Sequence, residues 1–339
     1  MKAVKIEKPW EISCIELPEP VPGEGQALIK VKAAGICGSD IGAFRGANNL
    51  VTYPRVIGHE IAGEIISISG DNPKGFQKGD RVVVDPYLFC GHCYPCSIGR
   101  TNCCTDLKVL GVHVDGGMSE YFVHPANMLY KLPDSMPWEL APIAEPLVIS
   151  LHGVHRGGLK AGEHAAIIGA GPIGLMAALI AKVYGAEPIL IDLVEERLEF
   201  ARQLGITKTI CSKTEDPQEA VKRYTDGRMA ELVMECSGAN AAVRMSLDLV
   251  SNAGRITLTG WPKKETSLPT DLITKKEIDI RGARTSAGEF EEAIELIEKN
   301  LVDVRQILTK VIRIDEAPEI IRDIEKNPGN YMKVNIRMD

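Results

Sequence analysis

Residues 163–192, EHAAIIGAGPIGLMAALIAKVYGAEPILID, constrain the fold of this chain more tightly than any other stretch. An apolar run at 165–168 is long enough for a buried strand, and Gly169-x-Gly171-x-x-Gly174 follows it at once. An Ala- and Leu-rich segment of helical length runs on to Tyr184. A second apolar run at 188–191 then ends on Asp192, eighteen residues past the last glycine. The order is strand, turn, helix, strand. In such a unit the first glycine permits the tight turn, the second lets a pyrophosphate approach the backbone, and the third lets helix and strand pack closely. Exposed amides at the helix start, around Pro172 and Ile173, would hold the phosphates with the helix dipole behind them. Pro172 suits a first-turn position, where no amide hydrogen is missed. A lone glycine motif is weak, and the plain alternative is a glycine-rich turn in an ordinary α/β protein. Here strand, helix, second strand and terminal acid stand in register, so the stretch reads as a dinucleotide site. Asp192 favours NAD, because a carboxylate there binds both ribose hydroxyls and repels a 2′-phosphate. Arg197, five residues on, leaves some room for NADP.

The length of 339 residues suits about two domains. A net charge of −7 argues against nucleic acid or an anionic membrane as a general partner. The opening MKAVKIEKPWEI has no signal-peptide core, and no run reaches the roughly 18 apolar residues of a spanning helix. Five of the nine cysteines fall between Cys90 and Cys104, a density that reads as metal binding rather than a secreted disulfide framework. A cytoplasmic location is expected.

Cys90-x2-Cys93-x2-Cys96-x7-Cys104 offers four thiolates on one compact loop, the donor set of a closed, tetrahedral structural zinc site. The spacing fits neither ferredoxin pattern. Cys103 adjoins Cys104 and competes with it for the fourth place, while His92 is surplus to four sulfurs. The metal would help to fold the loop. A second donor set lies upstream, in Gly35-Ile36-Cys37-Gly38-Ser39-Asp40 and Gly58-His59-Glu60. Each half alone is modest, since a single Cys or His is more often structural. Together they supply thiolate, imidazole and carboxylate, and sulfur with nitrogen favours Zn²⁺ over Mg²⁺ or Ca²⁺.

GICGSD (35–40), GHE (58–60), the four-cysteine lobe, AEP (144–146) and GAGPIG (169–174), in that order, closely resemble the medium-chain zinc-dependent dehydrogenases. Within that family the chain looks most like the branch of sorbitol, threonine and hexonate dehydrogenases. GRTNCC (99–104) and the glycine-rich segment at 111–117 are especially similar to bacterial hexonate 5-dehydrogenases, such as those acting on L-galactonate or L-gulonate. The resemblance spans essentially the whole chain. It implies an α/β protein in which a GroES-like β-barrel catalytic domain with a structural zinc lobe (1–146) has its cleft facing a Rossmann domain (147–284), with 285–339 returning to the first domain. It implies two zinc ions per subunit and a dimer or tetramer. Glu145 matches the glutamate that completes the catalytic zinc shell of Cys37 and His59 in the polyol branch, directly or through water. Glu60 is its competitor, exchanging onto the metal or holding the proton path. Ser39 would hydrogen-bond the substrate oxygen and pass on its proton. Many relatives carry a histidine five residues after the first zinc cysteine, where this chain has Gly42.

Beyond Asp192 the pattern predicts helices at 195–204, 216–224, 239–249 and 289–299, and strands at 209–211, 232–235, 254–259 and 278–282. Such alternation gives a doubly wound parallel sheet. Cofactor contacts then gather at the strands' carboxyl ends, which marks Ser237, Thr259, Gly260 and the turn at 283–285. The expected reaction is reversible oxidation of a secondary alcohol of a sugar acid, with polyols, sugar-alcohol phosphates and threonine as alternatives. A hexonate needs a cation, and Arg45, Arg55 and Arg284 lie in loops, with Arg284 favoured by the resemblance. A metal-free reductase of the same fold would not be expected to carry Cys37, His59 and Glu145 together. A non-catalytic nucleotide sensor is the other rival, since fold alone confers no activity.

Overall fold

The computed structural model describes residues 1–338. The chain divides into two compact units, Met1–Glu145 with Phe290–Asp339, and Pro146–Glu289.

The first unit is built from short strands closed by turns. Its larger sheet runs Leu129–Lys131, Arg81–Val84, Glu60–Ser69, Gln26–Ile36, Lys333–Arg337, Leu308–Arg313, and Tyr121–Pro125 also pairs with Gln26–Ile36. Strand Gln26–Ile36 alternates buried and half-buried residues over most of its length, the signature of a sheet with one face on the core. Ile29, Val31, Ile61, Ile65, Leu129, Ile312 and Ile336 share that core. The carboxyl-terminal strand Lys333–Arg337 lies antiparallel to the end of Gln26–Ile36, pairing Asn335 with Gly35.

His124, on strand Tyr121–Pro125, is buried in this unit. Its ring stacks on Phe122, and Nε2 donates to the carbonyl of Asp85 at 2.8 Å. Burial drives its pKa down from 6.5 to about 4, with the Asp85 carbonyl acting weakly the other way. The unfolded chain therefore takes up this proton before the native state does. The contribution to stability is complete above pH 6.5 and is lost as the pH falls towards 4, a change of roughly 3 kcal/mol. His124→Gln retains a donor for Asp85 and cannot titrate. Urea unfolding of both proteins between pH 7 and pH 4 should show a shallower acid loss in the variant, and equal slopes would refute the assignment.

The second unit is a six-stranded, all-parallel sheet in the order Lys208–Cys211, Glu187–Asp192, His164–Ile168, Ala230–Glu235, Val250–Leu258, Asp279–Gly282. In chain order this is 3-2-1-4-5-6, the doubly wound arrangement of dinucleotide-binding folds. The strand order reverses between His164–Ile168 and Ala230–Glu235. Every residue of His164–Ile168 is buried, as a parallel strand covered on both faces requires. Helix Pro172–Val183 packs seven buried residues, Gly174 among them. Strand Val250–Leu258 begins four residues earlier than its apolar pattern announces, because its first part loops through exposed Asn252 and Ala253. Helix Thr270–Lys276 adds to the elements the pattern predicts; at 7 residues, with none buried, it is too short for a helical period to show.

Candidate active site and zinc centres

Cys37 follows strand Gln26–Ile36 and caps the short helix Gly38–Phe44, and Asp40 Oδ2 accepts its amide at 2.9 Å. Glu60 opens the neighbouring strand Glu60–Ser69, where it pairs with Gly35, and His59 immediately precedes it. A Cβ on Gly35 would lie 1.8 Å from Glu60 Oε2, so only glycine leaves room for that carboxylate. One donor atom each of Cys37, His59 and Glu60 lies within 4.8 Å of the others. Glu145, in the first turn of helix Ala144–Gly157, falls outside that group. It is fully buried, Tyr87 Oη donates to its Oε1, and its Oε2 has no hydrogen-bond partner among the described residues.

Charge shows what this pocket could hold. Asp40, Glu60 and Glu145 are all buried, and Lys333 is the one buried lysine among the described residues. Lys333 forms an ion pair with Glu60 and donates to the carbonyl of Ile36 at 3.1 Å. Burial raises the Glu145 pKa to about 7, and Glu60 adds to the rise while His59 opposes it. Burial disfavours the charged form of His59, yet the sulfur of Cys37 and the carboxylates of Asp40 and Glu145 carry its pKa well above 6.5. Its Nδ1 lies 3.9 Å from Asp40 Oδ1 without a hydrogen bond, and Ser39 Oγ stands 3.5 Å from its Nε2. Three buried acids with a single lysine, gathered around a thiol and an imidazole, fit a divalent, sulfur-tolerant cation such as Zn²⁺.

In the lobe, ligand atoms of Cys90, Cys93, Cys96 and Cys104 all lie within 4.8 Å of one another, and none is in a disulfide. Cys103, the adjacent competitor, is not in the group. Amides of Thr105 and Cys96 pull the Cys93 thiol down to about 5, whereas burial and the Cys93 sulfur push Cys96 up to about 12. Cys104 Sγ accepts the amides of Cys90 and Asp106, each at 3.3 Å. His92 turns to the carbonyl of Cys90. Four converging thiols are the donor set that a closed, tetrahedral zinc site uses.

In the second unit the glycine motif follows strand His164–Ile168. A Cβ on Gly174 would lie 1.9 Å from the carbonyl oxygen of Gly169, so the close helix–strand approach demands glycine. Gly171, the N-cap of helix Pro172–Val183, is different: its φ of −73° suits any residue, and a Cβ there would meet nothing within 4 Å. No contact within the chain requires that glycine, whereas a pyrophosphate drawn onto the helix amides does. The Ile173 carbonyl accepts Ser150 Oγ at 2.9 Å. Asp192 Oδ2 accepts the amide of Ala170 at 2.6 Å and Oδ1 that of Val194 at 2.8 Å, with Arg197 Nη1 at 3.8 Å. The acid at the end of the second strand is thus tied to the glycine turn. Thr259 and Gly260 follow strand Val250–Leu258 and donate their amides to the carbonyl of Glu235, and Thr259 Oγ1 is buried with no partner among the described residues.

The family-model comparison matches residues 23–134 to the alcohol dehydrogenase GroES-like domain and residues 172–299 to the zinc-binding dehydrogenase domain. An uncharacterized zinc-type alcohol dehydrogenase-like protein of Haemophilus influenzae is 55% identical over 335 residues, 99% of this chain and 98% of that protein. The chain belongs to the zinc-type alcohol dehydrogenase family. The L-galactonate-5-dehydrogenase of Escherichia coli K12 is 37% identical over 85% of this chain and 84% of its own length. RspB of E. coli CFT073, solved with its cofactor NADH, superimposes with a TM-score of 0.92 at 35% identity, covering 100% of this chain and 99% of that one. This dehydrogenase is therefore an oxidoreductase that uses zinc and a nicotinamide dinucleotide. Among its described residues no helix is long and apolar enough to cross a membrane.

The three loop arginines part company. Arg55 gives Nη1 to Asp115 at 3.0 Å and Nη2 to Thr52 at 2.6 Å, which commits its guanidinium to that loop and removes it as a substrate clamp. Arg45 is exposed at the end of helix Gly38–Phe44. Arg284 lies over the ring of Trp261, 5.8 Å from its centroid. Asp40 stands within the Cys37 motif, three residues on, and its carboxylate holds the Cys37 amide, a contact that spacing alone does not reveal. Tyr87 and Lys333 carry no local signal.

Proposed function

We propose that this dehydrogenase oxidises a secondary alcohol of a sugar acid of the hexonate class, with NAD preferred over NADP. The observation that carries the substrate class is Arg284, a cation placed beside exposed Trp261 just beyond the strand ends that form the cofactor crevice. Similarity to the E. coli L-galactonate-5-dehydrogenase supports the same class. Cys37, His59 and Glu145 would hold the catalytic zinc, and Cys90, Cys93, Cys96 and Cys104 the structural one. When bound, the catalytic metal supplies a Lewis acid and the dinucleotide a hydride acceptor, the two components that alcohol oxidation requires.

The chain's own residues do the rest. Asp40 holds the backbone amide of Cys37 and places its negative charge 3.9 Å from the imidazole of His59. Ser39 hydrogen-bonds the reacting hydroxyl and passes its proton outward, through water or Glu60 because Gly42 supplies no imidazole. Lys333 pairs with Glu60 and holds it in place. Amides at the start of helix Pro172–Val183, from Ile173 on, hold the pyrophosphate, and Asp192 takes the ribose hydroxyls. Arg284 pairs with the substrate carboxylate. The same guanidinium would accept a phosphate, which makes a sugar-alcohol phosphate the second reading.

The test is NADH production by zinc-loaded protein offered hexonates, free and phosphorylated polyols, and L-threonine. Turnover of a hexonate, with KM raised about tenfold or more in Arg284→Ala, is the expected result. Equal use of neutral polyols, untouched by that substitution, would eliminate the clamp. Exclusive use of a phosphorylated polyol would move the clamp to a phosphate.

A further inference from the structure

Strand Ala230–Glu235 ends in a carboxylate with no exposure at all. It stands beside the point where the strand order reverses, pairing with Ile168 on one side and Leu258 on the other. Its Oε1 accepts the Ser237 amide at 2.8 Å, the Ser237 hydroxyl at 2.5 Å and the Gly238 amide at 2.9 Å. Its Oε2 shares the Gly238 amide at 3.2 Å. A Cβ on Gly260 would fall 2.4 Å from that Oε2, and one on Gly169 would fall 3.2 Å from Ser237 Cβ. One side chain therefore sits among the turns that leave three adjacent strands.

This arrangement changes what Ser237 can do. Its amide and hydroxyl hydrogen are both given to Glu235, and its hydroxyl oxygen takes the Ala239 amide at 3.2 Å. Little of it is left to donate to a cofactor. We propose that Glu235 is a positioning residue for dinucleotide binding: its buried carboxylate fixes the Ser237–Gly238 turn against Gly169 and Gly260, so that the crevice is already shaped before the cofactor arrives. A buried charge beside an anionic ligand is costly, and a charge-assisted set of three donors to one oxygen offsets that cost. A turn held in advance removes ordering that binding would otherwise have to supply. The proposal rests on the reading that the cofactor lies at these strand ends, and a control separates the two.

The experiment measures NADH affinity by fluorescence, KM for NAD, kcat at saturating NAD, zinc content and melting temperature in Glu235→Ala, Glu235→Gln and Gly171→Val. Glu235→Ala should weaken NADH binding and raise KM for NAD about tenfold or more, the size of a charge-assisted contact. Glu235→Gln, which keeps the shape and one acceptor, should fall between it and the parent. Zinc content and kcat at saturating NAD should stay near parental values in both. If Glu235→Ala does not fold, Glu235→Gln carries the test. Lower melting temperature with unchanged NADH affinity would reduce Glu235 to a turn cap and overturn the proposal. Gly171→Val fills space that no contact within the chain occupies, so it should fold and lose NADH affinity. If it binds NADH normally, the crevice reading fails and the proposal falls with it. If only Gly171→Val loses affinity, the crevice stands and the role of Glu235 does not.

Discussion

Cys37→Ala and His59→Ala should each lower kcat/KM by about a thousandfold or more, because Lewis-acid stabilisation is worth several kcal/mol to the transition state. Each should also release one zinc equivalent while leaving the thiolate-bound one in place. The two carboxylates then decide the third ligand. Glu60 is the acid whose oxygen clusters with Cys37 and His59, but Lys333 already balances it. Among the described residues both acids keep a buried oxygen without a hydrogen-bond partner, but Glu145 has no lysine in contact and a pKa raised to about 7 by burial, so it gains most from a neighbouring cation. Glu145→Ala should therefore release the catalytic zinc, and Glu60→Ala should retain it with altered turnover. Metal analysis of the two variants settles the matter, and the reverse outcome would make Glu60 the ligand.

Cys93→Ser should have the larger effect on the fold. The lobe's own core contains only Tyr87, Cys104 and Leu107, with cysteines and Val109 packed around them. Such a core is too small to order the loop unaided, so metal binding, worth on the order of 10 kcal/mol in small thiolate sites, supplies what packing does not. Loss of one thiolate should release the structural zinc, open residues 90–104 to protease and lower the melting temperature by several degrees. Proteolysis confined elsewhere, with a parental melting temperature, would show that the lobe folds without its metal.

Much of the second unit was legible because local pattern and tertiary role coincide there. Strand Glu187–Asp192 is apolar because it is covered on both faces, and its terminal acid falls where the turn geometry places it. The four lobe cysteines were legible for the same reason, being neighbours in sequence and in space. The carboxylates were harder. Nothing local distinguishes Glu145 from a surface acid at a helix start, and only family resemblance raised it. Glu235 follows an apolar run that reads as strand, and its donors come from a turn whose shape no periodicity reveals. Arg55 looked like any loop arginine until Asp115, sixty residues away, claimed it. Contacts of that separation leave no mark on local sequence.

The return of the chain has a consequence for its biosynthesis. Strand Lys333–Arg337 completes the sheet beside Gly35, and its first residue delivers the ammonium that neutralises Glu60. A ribosome makes Glu60 early and Lys333 only 273 residues later. The second unit is continuous in sequence and has emerged by then, whereas the first must wait with a buried acid uncompensated. Nascent chains stalled shortly before Lys333 should thus carry a formed nucleotide fold beside an unfinished metal pocket.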